Sequence, residues 1–358
     1  MTAEFYALPV AEVMPETADA KSFRFHVPEG AADAFRFLPG QHLTLRALVD
    51  GEDLRRNYSL CVAPQEGQLK VTVKRIAGGR FSNWANDNIR EGDVVEVQSP
   101  HGSFTRQFDP AARGHYVGFA GGSGITPVLS LLKTALLTEP DSRFTLLYGN
   151  RDSSAVIFLE ELAQLKNRFM GRLEVHHFLS HEDEDIDLFN GMLDRAKCDE
   201  VVSTLLEPDA ITDAFICGPG PMMDAAEGAL LGAGVARERV HLERFTADRP
   251  SAAQAQAIQA AQAEAAGTEI SVTLDGRTRR ISFDAAAGNI LDSARVAGLP
   301  APYACKAGVC ATCRAKVVRG AVDMAARYGL SDEEVTAGYV LTCQAIPRGD
   351  GVAVDYDA

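Results

Sequence analysis

Through residues 1–111 apolar and polar positions alternate in short runs. Residues 23–27, 42–48, 69–75 and 94–98 repeat with a period of two, the mark of half-buried strands. Turn signals separate them: Pro39-Gly40, Asp50-Gly51 and Glu91-Gly92. Closely spaced strands punctuated in this way predict a small antiparallel β-barrel.

The period changes near Gly114. Short apolar strands are expected over 115–120, 144–148, 173–179 and 214–217, with helices over 126–137, 155–166 and 221–231. Alternating strands and helices predict a parallel, doubly wound α/β sheet over 112–247. Residues 248–267 are Ala/Gln-rich without an apolar stripe and read as a semi-rigid, partly helical linker. A last domain, 268–358, opens with a hairpin over 270–274 and 279–283 turning at Asp275-Gly276.

A chain of 358 residues accommodates these domains, each with its own core. No apolar run reaches the roughly 18 residues of a membrane span, and Met1 to Val10 lacks the pattern of an export signal, so a cytoplasmic protein is expected. The net charge of −14 argues against nucleic acid or anionic membrane as partners. The segment from Thr268 carries 11 acidic and 10 basic residues, so nearly all the excess acid lies before it.

Four of the seven cysteines gather in that segment. Cys305-x4-Cys310-x2-Cys313, followed by the distant Cys343, has the plant-type spacing for a [2Fe–2S] cluster. Three thiolates reach a cluster from one tight loop, which explains the small residues Ala304, Ala307, Gly308, Ala311 and Thr312; backbone N–H groups then face the sulfurs. A structural zinc site favours two separated C-x2-C pairs, and only Cys310/Cys313 form one.

In the barrel, Arg56-Asn57-Tyr58-Ser59 is read at the start of a strand. Arg56 suits a pyrophosphate, the Tyr58 ring a flavin face, and the Ser59 hydroxyl the flavin's reactive nitrogen. Val73-Lys74-Arg75 then precedes Gly78-Gly79-Arg80-Phe81-Ser82-Asn83, where glycines opening a helix expose N–H groups to an anion.

Gly121-Gly122-Ser123-Gly124-Ile125-Thr126-Pro127 falls between strand and helix, where a phosphate-binding turn belongs, with Pro127 replacing the third glycine. Cys217-Gly218-Pro219-Gly220-Pro221-Met222 ends a later strand, where a thiol can sit beside the nicotinamide; Cys217 can equally be a small buried apolar residue. After Tyr148-Gly149-Asn150 stands Arg151, suited to a 2′-phosphate and hence NADPH, although Asp152 beside it keeps NADH open. His176 and His177 face opposite ways on a strand and, with His181 and the acidic run 182–185, read as a solvated region rather than a metal site.

In this order the motifs resemble the ferredoxin–NADP reductase superfamily, specifically members with a plant-type ferredoxin fused at the C-terminus. Tyr148-Gly149-Asn150-Arg151, Phe215-Ile216-Cys217-Gly218-Pro219, His241-Leu242-Glu243-Arg244-Phe245 and the runs 302–313 and 338–345 carry the likeness. The resemblance implies a flavin-binding antiparallel Greek-key barrel, a nucleotide-binding α/β domain and an α+β ferredoxin-like β-grasp domain. It implies FAD, rather than FMN, at Arg56, Tyr58, Ser59, Val73, Lys74 and the turn Gly79, Arg80, Phe81, Ser82. NADPH is expected at Gly122, Gly124, Thr126, Pro127, Arg151, Gly218, Pro219 and Met222. Ser59 and Cys217 would line the hydride-transfer site, with Phe245 bringing an aromatic ring near the flavin. The implied activity is an NAD(P)H-dependent relay through FAD and the cluster to a multisubunit di-iron oxygenase. A ring-hydroxylating dioxygenase as client and a cluster-based redox sensor are the alternatives.

Overall fold

The computed structural model describes residues 4–245 and 251–358. Strands β1 (Phe5–Thr17), β2 (Ala20–Phe25), β3 (His42–Val49), β4 (Glu52–Ser59), β5 (Leu69–Lys74) and β6 (Val94–Gln98) form one sheet, with helix α1 (Arg80–Asn88) between the last two. Their order is β4-β3-β6-β1-β2-β5, with antiparallel pairing and barrel-like form. Leu8, Phe23, Leu43, Leu45, Val71, Val73 and Val97 fill its interior, and Phe81 of α1 closes it. The four predicted strands are present with small shifts at their ends. The long β1 escapes a period-two reading because it contains Pro9 and Pro15 and its register slips at two points. The Arg56–Ser59 motif closes β4 rather than opening a strand, which corrects the expectation.

The second sheet comprises β7 (His115–Gly121), β8 (Arg143–Asn150), β9 (Leu173–Leu179), β10 (Ile211–Cys217) and β11 (Val240–Glu243). Helices α2 (Ile125–Thr138), α3 (Leu159–Arg168), α4 (Arg195–Leu205) and α5 (Gly220–Gly232) alternate with them. Every pair is parallel and the order is β11-β10-β7-β8-β9. One core lies under α2 and α3, another under α4 and α5. The strand order reverses between β7 and β10, so a crevice opens where these two end, at Gly121 and Cys217. The helix expected over 155–166 starts only at Leu159, because Asp152 caps a short turn at Ser153–Ala155 and Phe158 takes a left-handed conformation.

The third sheet contains β12 (Glu269–Leu274), β13 (Arg277–Ser282), β14 (Arg314–Met324), β15 (Tyr339–Leu341) and β16 (Ala345–Asp355), preceded by α6 (Ala252–Glu264) and accompanied by α7 (Ile290–Val296) and α8 (Asp332–Thr336). Its order is β13-β12-β16-β14-β15, with β12 and β16 parallel and the other pairs antiparallel. Ile290, Leu291 and Ala294 of α7 join the core of this mixed sheet, an α+β arrangement. Helix α6 lies in the expected linker, of which 248–250 fall outside the described residues; Ile258 and Ala261 rest on this third core.

The chain divides into two compact units: Phe5–Leu54 with Tyr58–Arg244, and Phe245–Ala358 with Glu4 and Arg55–Asn57. Among the described residues no helix is long and apolar enough to cross a membrane.

Candidate functional site

At the switch point two glycine-bearing turns interlock. A β-carbon on Gly124 would stand 2.0 Å from the Cys217 carbonyl oxygen, one on Gly121 would lie 2.6 Å from Pro219 Cδ, and one on Gly218 2.7 Å from Met222 Cε. Only glycine lets the backbones meet so closely. Gly122 itself is left-handed, with φ of 51°. Thr126 donates to the Ser123 carbonyl at 3.0 Å, tightening the turn, and Pro127 lies buried in the first turn of α2, where its missing N–H costs nothing. The Tyr148 hydroxyl donates to the Gly122 carbonyl at 2.9 Å, a support that the sequence pattern does not reveal although Tyr148 opens the motif ending at Arg151.

Cys217 is fully buried, and burial, followed by the nearby Glu243 charge, pushes its thiol well up. It is therefore a neutral S–H, fit to line a cavity and unfit as a nucleophile. Its register partner in β11 is Glu243, whose carboxylate lies 3.9 Å from the buried His42. Burial lowers His42 to about 3, helped by His101 stacked edge-on at 4.3 Å, so the imidazole is neutral. Sequence reasoning singles out neither His42 nor Glu243 as a site residue, because each meets the site only through strand pairing.

On the barrel side, Ser59 ends β4 and is 3% exposed. A hydroxyl at a strand end suits a ligand atom. The neighbouring Tyr58 ring lies 5.8 Å from Phe81. The turn into α1 is shaped by Ser82, which accepts from the Ile76 N–H at 3.2 Å, and by Asn86, which donates to the carbonyls of Val73 and Ser82 at 3.0 and 2.9 Å. Gly79 is confined here, since a β-carbon would fall 2.5 Å from Ser82 Oγ. Helix α1 has no side-chain cap, leaving first-turn N–H groups for a phosphate. Two expected contacts are otherwise engaged: Arg80 donates to Glu52 at 2.5 Å, and Arg56 to the Arg55 carbonyl at 2.7 Å. Lys74 pairs with Asp19 at 3.6 Å and reaches toward the glycine turn, 3.8 Å from where a Gly122 β-carbon would stand. These features fit a flavin with its pyrophosphate.

Beyond β8, Arg151 is exposed and donates through Nε to Asp152 at 2.7 Å. The amide of Asn150 is buried and, apart from a loose contact with the Tyr148 hydroxyl, unsatisfied. His176 stacks on Phe189 and His177 lies against Tyr148. In the other unit Phe245 is 38% exposed.

The loop 305–313 winds through three left-handed residues, Lys306, Gly308 and Ala311. Two are not glycine, a strain that persists only where the surroundings impose it. Thr342 supplies part of that constraint: its N–H and hydroxyl both donate to the Cys313 carbonyl, at 3.1 and 2.9 Å. Gln344 donates to the Lys306 carbonyl at 3.1 Å, and Gly329 N–H to the Gly308 carbonyl at 3.0 Å. The residues flanking Cys343 thus clamp the loop of the other three cysteines. Among the described residues no three His, Cys, Asp or Glu side chains gather around a single ion. The thiols instead fall into two electrostatically interacting pairs, Cys305 with Cys310 and Cys313 with Cys343. Two pairs suit two irons, each taking two thiolates. The neighbouring Cys305, with help from Thr312, lowers Cys310 against burial, and the neighbouring Cys313 lowers Cys343. Ala307 N–H points at Cys305 Sγ at 3.3 Å. The donor set fits a [2Fe–2S] cluster.

Three family models match the chain in sequence: an oxidoreductase FAD-binding domain over residues 7–106, an oxidoreductase NAD-binding domain over 119–228, and a 2Fe-2S iron-sulfur cluster binding domain over 272–348. The chain belongs to the ferredoxin–NADP reductase superfamily, in its form with a C-terminal [2Fe–2S] domain, and is an electron-transfer reductase. It is 45% identical to a component of the 1,2-phenylacetyl-CoA epoxidase of Escherichia coli (strain K12), over 99% of this chain and 98% of that protein. The ferredoxin reductase component of 3-ketosteroid-9-alpha-monooxygenase from Rhodococcus rhodochrous is 37% identical over 98% of this chain and 96% of its own length. Among solved structures, phthalate dioxygenase reductase superimposes with a TM-score of 0.63 at 27% identity, over 98% of both chains.

Proposed function

We propose that this chain is the reductase of a phenylacetyl-CoA epoxidase system, acting in the cytoplasm for phenylacetate breakdown. It takes hydride from NADPH and supplies electrons, through FAD and the [2Fe–2S] cluster, to a multisubunit di-iron oxygenase. The 45% identity to the Escherichia coli epoxidase component, across nearly the whole of both chains, supports this client. The reductase chemistry rests above all on the interlock of Gly124 with Cys217 at the switch point.

When bound, the flavin converts a two-electron donation into single-electron steps and the cluster carries electrons singly. The chain's own residues supply position. Val73 and Tyr58 shape the flavin cleft, Ser59 offers its hydroxyl to the reactive edge, and Lys74 and the turn Gly79–Arg80–Phe81–Ser82 hold the pyrophosphate. Gly122, Gly124, Thr126 and Pro127 cradle the coenzyme's phosphates, while Gly218, Pro219 and Met222 frame its nicotinamide end beside Cys217. Arg151 meets the 2′-phosphate, and Phe245 supplies an aromatic ring. Hydride transfer needs no base, only reacting atoms held about 3–3.5 Å apart, so a small neutral thiol is the right neighbour. Cys305, Cys310, Cys313 and Cys343 ligate the cluster. The corresponding functional domains are 1–111, 112–247 and 268–358, with 248–267 linking the last two.

The 37% identity to a 3-ketosteroid monooxygenase component favours, as the second reading, the same relay serving another oxygenase. Anaerobic stopped-flow absorbance with NADPH tests the relay: flavin bleaching should precede cluster reduction, and a cluster that stays oxidised would refute it. Reconstitution with epoxidase and with ring-hydroxylating oxygenase components, scored by NADPH-dependent product, separates the clients.

A further inference from the structure

The segment after β8 contains an arginine and an aspartate side by side, and such a pair admits opposite readings. An aspartate aimed at the adenosine ribose accepts a 2′-hydroxyl and selects NADH; an arginine there meets a 2′-phosphate and selects NADPH. The geometry decides between them. Asp152 is extended and turns its carboxylate back on the chain: Oδ1 accepts from the Ala155 N–H at 3.0 Å and from the Ser154 hydroxyl at 2.6 Å. Its Oδ2 accepts from Arg151 Nε at 2.7 Å. Three donors therefore hold this carboxylate. Arg151, by contrast, commits only Nε; its two terminal nitrogens make no hydrogen bond among the described residues. Its backbone is held too, since its carbonyl accepts from the His181 N–H at 2.8 Å, one step past the β8–β9 ladder.

We infer that Asp152 is a positioning residue for coenzyme choice: it grips Arg151 at Nε so that the guanidinium fork is presented to a 2′-phosphate. The inference rests on the reading of Arg151 as the phosphate contact. An arginine side chain loses considerable rotamer freedom when it takes up a ligand, and a carboxylate that fixes it beforehand reduces that loss. The other charges nearby are satisfied: Asp19 pairs with Lys74, and Glu182 accepts from the Ser153 hydroxyl.

The test is calorimetric titration of the holoprotein with adenosine 2′,5′-bisphosphate and with 5′-AMP, for wild type, Arg151→Ala and Asp152→Asn. Asparagine keeps an oxygen for the Ala155 cap but replaces the Arg151 acceptor with a donor; an unchanged melting temperature verifies that the turn is intact. Wild type should bind the bisphosphate more tightly than 5′-AMP, and Arg151→Ala should erase that margin. Asp152→Asn should shrink it about three- to tenfold by weakening the bisphosphate alone. If Arg151→Ala keeps the margin, or wild type prefers 5′-AMP, the phosphate reading of Arg151 falls. If Arg151→Ala erases it but Asp152→Asn binds the bisphosphate as well as or better than wild type, the positioning role alone falls. Weakened 5′-AMP binding in Asp152→Asn would instead make Asp152 a ribose contact and overturn the inference.

Discussion

Gly124 and Cys217 meet backbone to backbone: a β-carbon on the glycine would stand 2.0 Å from the cysteine carbonyl oxygen and 2.4 Å from its carbonyl carbon. One contact thus joins the phosphate-binding turn to the strand end carrying the thiol, and placing one places the other.

Gly124→Ala should break that joint. No flexible side chain can yield, so the turns must separate, at a cost of about 1–3 kcal/mol in stability. Affinity for the nicotinamide nucleotide should fall about tenfold; titration and denaturant unfolding measure both. Gly122→Ala meets only the tip of Lys74 and should incur little more than the about 1–2 kcal/mol of a left-handed alanine.

Cys217→Ala should slow flavin reduction by NADPH about ten- to a hundredfold through misplacement of the nicotinamide. The cluster spectrum should not change. Because burial raises the thiol, the wild-type reduction rate should show no thiol ionisation up to about pH 9, in contrast to an ordinary cysteine. Stopped-flow traces across pH give both answers.

Replacement of Cys343 by serine should remove the cluster's visible bands and lower bound iron while leaving the flavin bands. Thr342→Val should be milder, loosening the loop that its hydroxyl ties through the Cys313 carbonyl. A cost of about 1 kcal/mol is expected, read as faster loss of iron to a chelator.

Acid should weaken the fold before its carboxylates titrate. Burial lowers His42 to about 3 and His115 to about 4, so the unfolded chain binds these protons first. Their stabilising effect is complete above the ordinary histidine value near 6.5 and is lost as pH falls toward 4 and 3. Each group contributes a slope of up to about 1.4 kcal/mol per pH unit in that window. Unfolding followed by Trp84, the single tryptophan, at pH 7, 6 and 5 should show the decline, and His42→Gln should flatten it.

Much of this was legible before the structure. Period-two runs located four barrel strands, and the 126–137 and 221–231 patterns located α2 and α5, because each element buries a face of its own sequence. What was missed shares a cause. Strand β1 is interrupted by prolines, β4 is polar, and Thr342, Gln344 and Glu243 act through neighbours distant along the chain. Local pattern carries no trace of a partner so far away in sequence.

The sequence by itself determined the order of the chemistry: a flavin motif, then a nucleotide turn, then four cysteines at ligand spacing, since spacing and residue type suffice for groups gripped by one loop. Only the tertiary structure decided what those groups face. Strand order set Gly124 against Cys217, and Cys217 beside Glu243, which in turn lies near the neutral His42. Side-chain geometry committed the Asp152 carboxylate to Arg151, Ser154 and Ala155. Such relations depend on which strands pair and which hydrogen bonds win locally, free-energy differences summed over the whole fold rather than written in any one segment.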